Sequence, residues 1–251
     1  MRIAIAGASG SIGAPAAEEL ASRGHEVRAL SRRSPEYPID VETGAGLREA
    51  LDGCETLIDA SNDGPSEKAA RAVLIDGGRR LLDAATAAGI GHHVCISIIG
   101  IDRVREGYPY YRIKLEQEAL AEASGMPYSI VRATQFHTLI DMLFSATSRY
   151  RLLLGGGAKI QPVDPREVAK MIADRAEGGP IGGRETVAGP EVLELGEMAR
   201  RWRHARGIRA AVLPAPLPPK LGRPVRAGAL TDSEPDHRGT IGWSAWLAER
   251  Y

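Results

Sequence analysis

Cysteine is nearly absent: Cys54 and Cys95 are the two cysteines in 251 residues. That is too few for a disulfide scaffold or a cysteine-only zinc site, and Cys95, inside an apolar run, reads as core. No metal site is expected. Net charge is absent as well. Lys+Arg and Asp+Glu are 32 each, so the chain lacks the basic excess of an electrostatic nucleic-acid binder. Long apolar runs are missing: none approaches the roughly 18 residues that a membrane span needs. The N-terminus, Met1-Arg2-Ile3-Ala4-Ile5-Ala6, enters a strand pattern without the basic region and apolar stretch of a secretory signal. The expectation is a cytoplasmic protein that takes a small-molecule substrate and has neither nucleic-acid nor membrane partners. Lysine is scarce too, at five against 27 arginines. Arginine is the default base here, so a single arginine carries little weight.

What the sequence does contain is alternation. Residues 2–8, 26–31, 38–42, 56–61, 93–99 and 128–133 read as short, mostly apolar strands. Helical spacing fills 12–23, 46–51, 68–88 and 110–124 between them. Apolar strands alternating with helices predict an α/β fold with a Rossmann-type, doubly wound parallel sheet. After about residue 135 the alternation weakens. Helices are expected over 137–150, 166–175 and 194–207 and a short strand over 159–162, with the proline-rich stretch 210–235 mostly loop. Trp243 and Trp246, three residues apart, are expected to dock a C-terminal helix. The division expected is 1–135 as a dinucleotide-binding core and 136–251 as a small C-terminal substrate lobe with segments returning to the sheet.

Gly7-Ala8-Ser9-Gly10-Ser11-Ile12-Gly13 places glycines three and three apart between a strand and a helix. In that context the first glycine permits a tight turn and the second lets backbone approach a pyrophosphate. The third allows close helix–strand packing, and the helix start offers free N–H groups to the anion. Gly7, Ser9, Gly10, Ser11, Ile12 and Gly13 are therefore candidate cofactor-binding residues. A chain that binds NAD carries an acid at the end of the second strand, to bond the ribose 2′-hydroxyl. Here that place reads Leu30-Ser31-Arg32-Arg33. A hydroxyl and two guanidiniums suit a 2′-phosphate, so NADP, with NADPH preferred over NADH, is the expected cofactor. Asp40 is placed either to bond the adenine amino group or to serve a turn.

Ser97 lies near the end of the fifth predicted strand, and Tyr110 and Lys114 open the next helix four residues apart, on one face. A tyrosine hydroxyl there can protonate an alkoxide. A lysine ammonium can favour the ionised tyrosine and bond the nicotinamide ribose, and a serine hydroxyl can hold a substrate carbonyl. Tyr111, three residues before Lys114, shares the same face and competes with Tyr110 for the acid's role. Gln135, Phe136 and His137 follow the last strand of the core, where the ligand crevices of α/β sheets form. They are candidate substrate contacts. His92 and His93 are adjacent at a strand start and do not face one another, which argues against a metal there.

Taken together, the glycine loop, Ser97-Ile98-Ile99-Gly100-Ile101-Asp102, Tyr110-Tyr111-Arg112-Ile113-Lys114 and the segment from Val131 to His137 resemble the atypical short-chain dehydrogenase/reductase proteins, in particular the NmrA-like NAD(P)H-binding branch. The resemblance covers about residues 1–190. It implies that Ala60, Ser61 and Asn62 lie against the adenosine and ribose and that Thr134 closes over the nicotinamide together with residues 135–137. The Asn-Asn-Ala-Gly usual after the fourth strand of short-chain reductases is absent. The function implied is an NADPH-dependent oxidoreductase that transfers a hydride to a carbonyl or conjugated double bond of a small, apolar molecule. The alternatives on the same fold are an NADP(H)-sensing regulator without turnover and a non-redox cyclase or epimerase.

Overall fold

The computed structural model describes residues 1–62 and 66–251. β1 (Arg2–Ala6), α1 (Gly13–Ser22), β2 (Glu26–Leu30), α2 (Leu47–Leu51) and β3 (Thr56–Asp59) come first. α3 (Glu67–Arg71) passes through a π-helical stretch, Ala72–Gly77, into α4 (Gly78–Ala87). β4 (His92–Ile98), α5 (Pro109–Ala123), β5 (Tyr128–Ala133), α6 (His137–Ser148), β6 (Leu152–Gly155) and β7 (Lys159–Ile160) follow. Then come α7 (Pro165–Gly178), β8 (Gly183–Ala188), β9 (Leu193–Glu194), α8 (Leu195–Ala205), β10 (Ala211–Pro214), α9 (Pro219–Arg226), β11 (His237–Arg238) and α10 (Trp243–Arg250).

Seven strands make one sheet in the order β11-β8-β5-β4-β3-β1-β2. β1 is parallel to β2 on one side and to β3 on the other, β3 to β4, and β8 to β11. Bonds from His93 N to Pro127 O and from Ile99 N to Ala133 O step together along β4 and β5, as parallel pairing requires. The apolar runs are buried on both faces: Ile3, Ile5, Leu57, Ile58, Val94, Cys95, Ile130 and Val131 are all at 0% exposure. That pattern belongs to a parallel sheet covered by helices. The strand order turns at β1, between β2 and β3, so the loops after β1 and β3 open at the switch point where such sheets bind ligands.

Two compact units are formed. The first comprises Met1–Ser97, Pro109–Arg132 and Val168–Glu185, and the second Ile98–Tyr108, Ala133–Glu167 and Thr186–Tyr251.

Several elements differ from the sequence reading. The strand expected over 38–42 is replaced by two isolated bridges, Ser31 with Pro38 and Asp40 with Ala45. Pro38 has no N–H to give a ladder, and Asp40 folds the chain back: its carboxylate accepts from Glu42 N at 2.9 Å and its carbonyl from Gly44 N at 2.7 Å. Residues 210–235 are mostly loop, as expected, but carry one short strand and one short helix. β10 pairs with β6, and Pro219 sits in the first turn of α9, where a missing N–H costs nothing. β8 went unread because its sequence is polar. Arg184 and Glu185 are spoken for by ion pairs to Glu118 and Arg175, at 3.1 and 2.8 Å.

The second unit is organised by rings. Trp243 and Trp246 stack at 5.3 Å, and the His137 ring lies 5.4 Å from Trp246. His137 is fully buried, and neither ring nitrogen has a partner. Burial pushes its pKa down to about 4. His92, in β4, is likewise lowered to about 4, by burial first and then by the neighbouring His93 and Arg175 charges. Both rings are neutral when folded and free to take a proton when unfolded. Stability is therefore complete above about pH 6.5 and declines as the pH falls towards 4, by about 3 kcal/mol per histidine. Urea midpoints at pH 7 and pH 4.5 are expected to show the drop, and His137→Phe, which keeps the ring stack, to shrink it. A flat profile in the wild type would count against both buried neutral rings.

Candidate active site

The turn after β1 is set by Gly7. It holds φ at +76° and donates its N–H to Leu30 O at 3.1 Å, and Gly10 N closes back onto Gly7 O at 2.9 Å. A Cβ on Gly7 would stand 2.5 Å from Ala60 O and one on Gly13 2.2 Å from Gly7 O. The loops after β1 and β3 and the start of α1 thus touch backbone to backbone, with no room for a side chain. α1 begins without a side-chain cap or an acid in its first turn, and there Ala14 N and Ala16 N are bonded to Gly10 O and Ile12 O at 3.1 and 3.0 Å while Pro15 has no N–H.

Beside this turn lies a cavity of about 480 Å³, entirely within the first unit. Its wall includes Gly7, Ser9, Ser31, Arg32, Arg33, Asp40, Ser61 and Asn62 from the residues singled out by sequence. Leu30, Ile39, Val41, Glu42 and Val73 complete it. Leu30 ends β2 next to the arginine pair, while the other four carried no motif: Ile39, Val41 and Glu42 flank the Asp40 turn, and Val73 sits on the π-helical stretch, a form enriched at functional sites. Asp40 serves the turn that was weighed for it and also lines the cavity. Gly10, Ser11, Ile12, Gly13, Ala60 and Lys114 are not in the wall. Gly13 and Ala60 shape it by packing on Gly7.

Of the three residues expected to do chemistry, Ser97 and Lys114 sit in two buried networks and Tyr110 is half-buried. Ser97 is 3% exposed and gives its hydroxyl proton to Glu118 at 2.5 Å. Glu118 also accepts two bonds from Arg132, at 2.9 and 2.7 Å, and one from Arg184 at 3.1 Å. Burial works to raise the Glu118 pKa, but the Arg132, Ser97 and Arg184 bonds outweigh it and hold the carboxylate below its usual range. Lys114, also buried, donates to Ile96 O at 2.7 Å and to Gln117. Gln117 in turn donates to Asp59 at 2.9 Å, and Asp59 accepts the Ser61 N–H at 3.0 Å and the Ser61 hydroxyl. Tyr110 donates its hydroxyl to Asn62 Oδ1 at 3.0 Å, on the cavity wall, and its ring packs in the cluster that contains Val73. The hydroxyl of Tyr110 thus reaches a wall residue.

In the second unit, Thr134 is buried, with its N–H on Val187 O at 3.1 Å and its hydroxyl accepting from Gly189 N at 3.2 Å. Gln135 is half-buried and ties Leu230 O and Gln161 N to its amide. Phe136 is half-buried and bridges to Val163. His137 presents no surface to a ligand, since its ring is enclosed by the two tryptophans.

A family model described as NAD(P)H-binding matches residues 7–177, from the first glycine of the loop to the end of α7. The chain belongs to the NAD(P)H-binding family. With it the chain falls among the NAD(P)-dependent oxidoreductases of the atypical short-chain type. The chain is 30% identical to a (4-alkanoyl-5-oxo-2,5-dihydrofuran-3-yl)methyl phosphate reductase of Streptomyces griseus, over 89% of this chain and 75% of that one. It is 28% identical to the divinyl chlorophyllide a 8-vinyl-reductase of Zea mays, over 79% of this chain and 58% of that one. Among solved structures, an NADPH-dependent quinone oxidoreductase of Escherichia coli, complexed with NADPH, aligns with a TM-score of 0.74 over 99% of each chain at 20% identity. At that identity it shares the fold of this NAD(P)H-binding chain. Among the described residues no helix is long and apolar enough to cross a membrane, and no cluster of three or more His, Cys, Asp or Glu could hold a metal ion.

Proposed function

We propose that the chain is an NADPH-dependent reductase acting on a carbonyl or conjugated double bond of a small, apolar molecule. The observation that carries this reading is one cavity wall that joins Gly7 to Ser31, Arg32 and Arg33. The residues fit the dinucleotide. Gly7 and Ser9 give backbone to the pyrophosphate, Arg32 and Arg33 give guanidiniums to the 2′-phosphate, and Ser61 and Asn62 face the ribose and adenine. When bound, the cofactor supplies the hydride. Tyr110 supplies the proton, Lys114 bonds the ribose hydroxyls and favours the ionised tyrosine, and Ser97 holds the substrate oxygen once its hydroxyl turns from Glu118.

The test is consumption of NADPH, followed at 340 nm, against a panel of ketones, aldehydes and enones. With any substrate that turns over, Tyr110→Phe should lower kcat by about a hundredfold or more while leaving the NADPH Kd within about threefold. An unchanged kcat would transfer the acid's role to Tyr111. One observation favours a second reading, an NADP(H)-sensing protein without turnover: the hydroxyl protons of Ser97 and Tyr110 are already engaged, by Glu118 and Asn62. Tight NADPH binding without consumption across the panel is the result that would favour it.

A further inference from the structure

Lys114 makes no direct ion pair among the described residues, although its side chain is buried. Its two acceptors are the Ile96 carbonyl and the Gln117 amide oxygen. The negative charge that answers it is one amide away. Gln117 turns its oxygen to Lys114 and its nitrogen to Asp59 Oδ2 at 2.9 Å, and Asp59 Oδ1 holds both the N–H and the hydroxyl of Ser61. The next residue, Asn62, accepts from Tyr110, one helical turn before Lys114 on α5. The bonds and the chain together close a ring: Lys114, Gln117, Asp59, Ser61, Asn62, Tyr110. Its β3 side lines the cavity through Ser61 and Asn62.

We propose, on the premise that Lys114 meets the bound cofactor, that Asp59 and Gln117 are positioning residues that aim the Lys114 ammonium and tie its placement to the Ser61-Asn62 wall. Two of the three N–H bonds of the ammonium are fixed by Ile96 O and Gln117. The direction of the third follows from them, and that is the donor left for a ribose hydroxyl. Gln117 can do this only with its amide in one orientation. The Asp59 carboxylate, which accepts and cannot donate, enforces that orientation. An asparagine at 59 brings an NH₂ group towards the Gln117 NH₂. The two donors face each other, or the Gln117 amide flips and turns its NH₂ on the ammonium, or the asparagine turns its oxygen to Gln117 and its NH₂ on the Ser61 N–H. Each outcome leaves a buried polar group without its partner.

The ring has a charge-swapped form that satisfies every member. With Asp59→Asn and Gln117→Glu together, the glutamate accepts from Lys114 and from the asparagine NH₂, while the asparagine oxygen keeps Ser61. The net charge is unchanged. Gln117→Glu alone sets two carboxylates side by side.

The experiment measures NADPH dissociation constants by nicotinamide fluorescence, with melting temperatures alongside, for D59N, Q117E, the D59N/Q117E double variant, K114M and K114M/D59N. The expected result is that each of D59N and Q117E weakens NADPH binding about tenfold. The double variant should return to within about threefold of wild type, and D59N should add nothing in the K114M background. Should either single variant fail to fold, a double variant that folds and binds still gives the rescue. The proposal is overturned if the double variant binds no better than the poorer single variant or does not fold. It is also overturned if D59N and K114M effects add, since Asp59 would then act through Ser61 alone. If K114M itself leaves the Kd unchanged, it is the premise about Lys114 that fails.

Discussion

Gly13→Ala should lower NADPH affinity by more than about a hundredfold. The added methyl carbon would lie 2.2 Å from Gly7 O, 2.8 Å from Gly7 C and 2.9 Å from Ala8 Cα, all backbone atoms. No rotamer change relieves such a contact. The Gly7 turn cannot yield either, because Gly7 is pinned to Leu30 O on one side and abuts Ala60 on the other. Overpacking against side chains costs about 1–3 kcal/mol. Against fixed backbone at both ends the upper part of that range is expected, and about 3 kcal/mol is a factor of about 150. The matched control is Gly24→Ala. Gly24, unlike Gly13, has positive φ, at +85°, and nothing lies within 4 Å of its missing Cβ. It should lose about 1–2 kcal/mol of stability from backbone strain and none of its cofactor affinity. Fluorescence titration and thermal melting of the two variants separate the effects. Equal loss of binding in both would mean that the glycine loop matters for stability and not for the ligand.

The second large effect is expected from removing Arg32 and Arg33 together. Both are exposed and line the cavity with Ser31, and the same wall carries Asp40 and Glu42. Two guanidiniums there offset two carboxylates. Without them, a 2′-phosphate would lose its charge-assisted partners and face an uncompensated acidic wall. Each such bond is worth about 1.5–3 kcal/mol in a sheltered site and less where solvent screens it. About 2–3 kcal/mol in total is expected, a 30- to 150-fold rise in the NADPH Kd. NADH lacks the phosphate, so its Kd should change by less than about threefold. The same contrast should appear with salt, which weakens NADPH binding more than NADH binding in the wild type. A double variant that loses the two cofactors equally would place the arginines outside phosphate recognition.

Much of this site was legible in the sequence because its parts are local. The glycine spacing, the acid-free end of β2 and the four-residue step from Tyr110 to Lys114 are each written in a few contiguous residues, and periodicity sets the strands and helices around them. What could not be read depends on distant partners. β8 is a sheet strand whose arginine and glutamate are satisfied by residues on α5 and α7. Val73 lines the cavity from the π-helical stretch Ala72–Gly77, which no sequence spacing announces. The Lys114, Gln117 and Asp59 network spans β3 and α5, and no spacing rule announces an amide set between an ammonium and a carboxylate. The strand expected over 38–42 failed for a local reason that was available: a proline without an N–H, followed by an aspartate and glycines Gly44 and Gly46 at positive φ.

The central claim is that the cavity between the Gly7 turn and Asn62 holds a nicotinamide dinucleotide phosphate. The most direct measurement is titration of the purified chain with NADPH and, separately, NADH, following nicotinamide fluorescence. Saturable binding of one NADPH per chain is predicted, at least about tenfold tighter than NADH at low salt. Binding of NADH as tight as NADPH would contradict the role given to Arg32 and Arg33, and no saturable binding of either would contradict the claim itself.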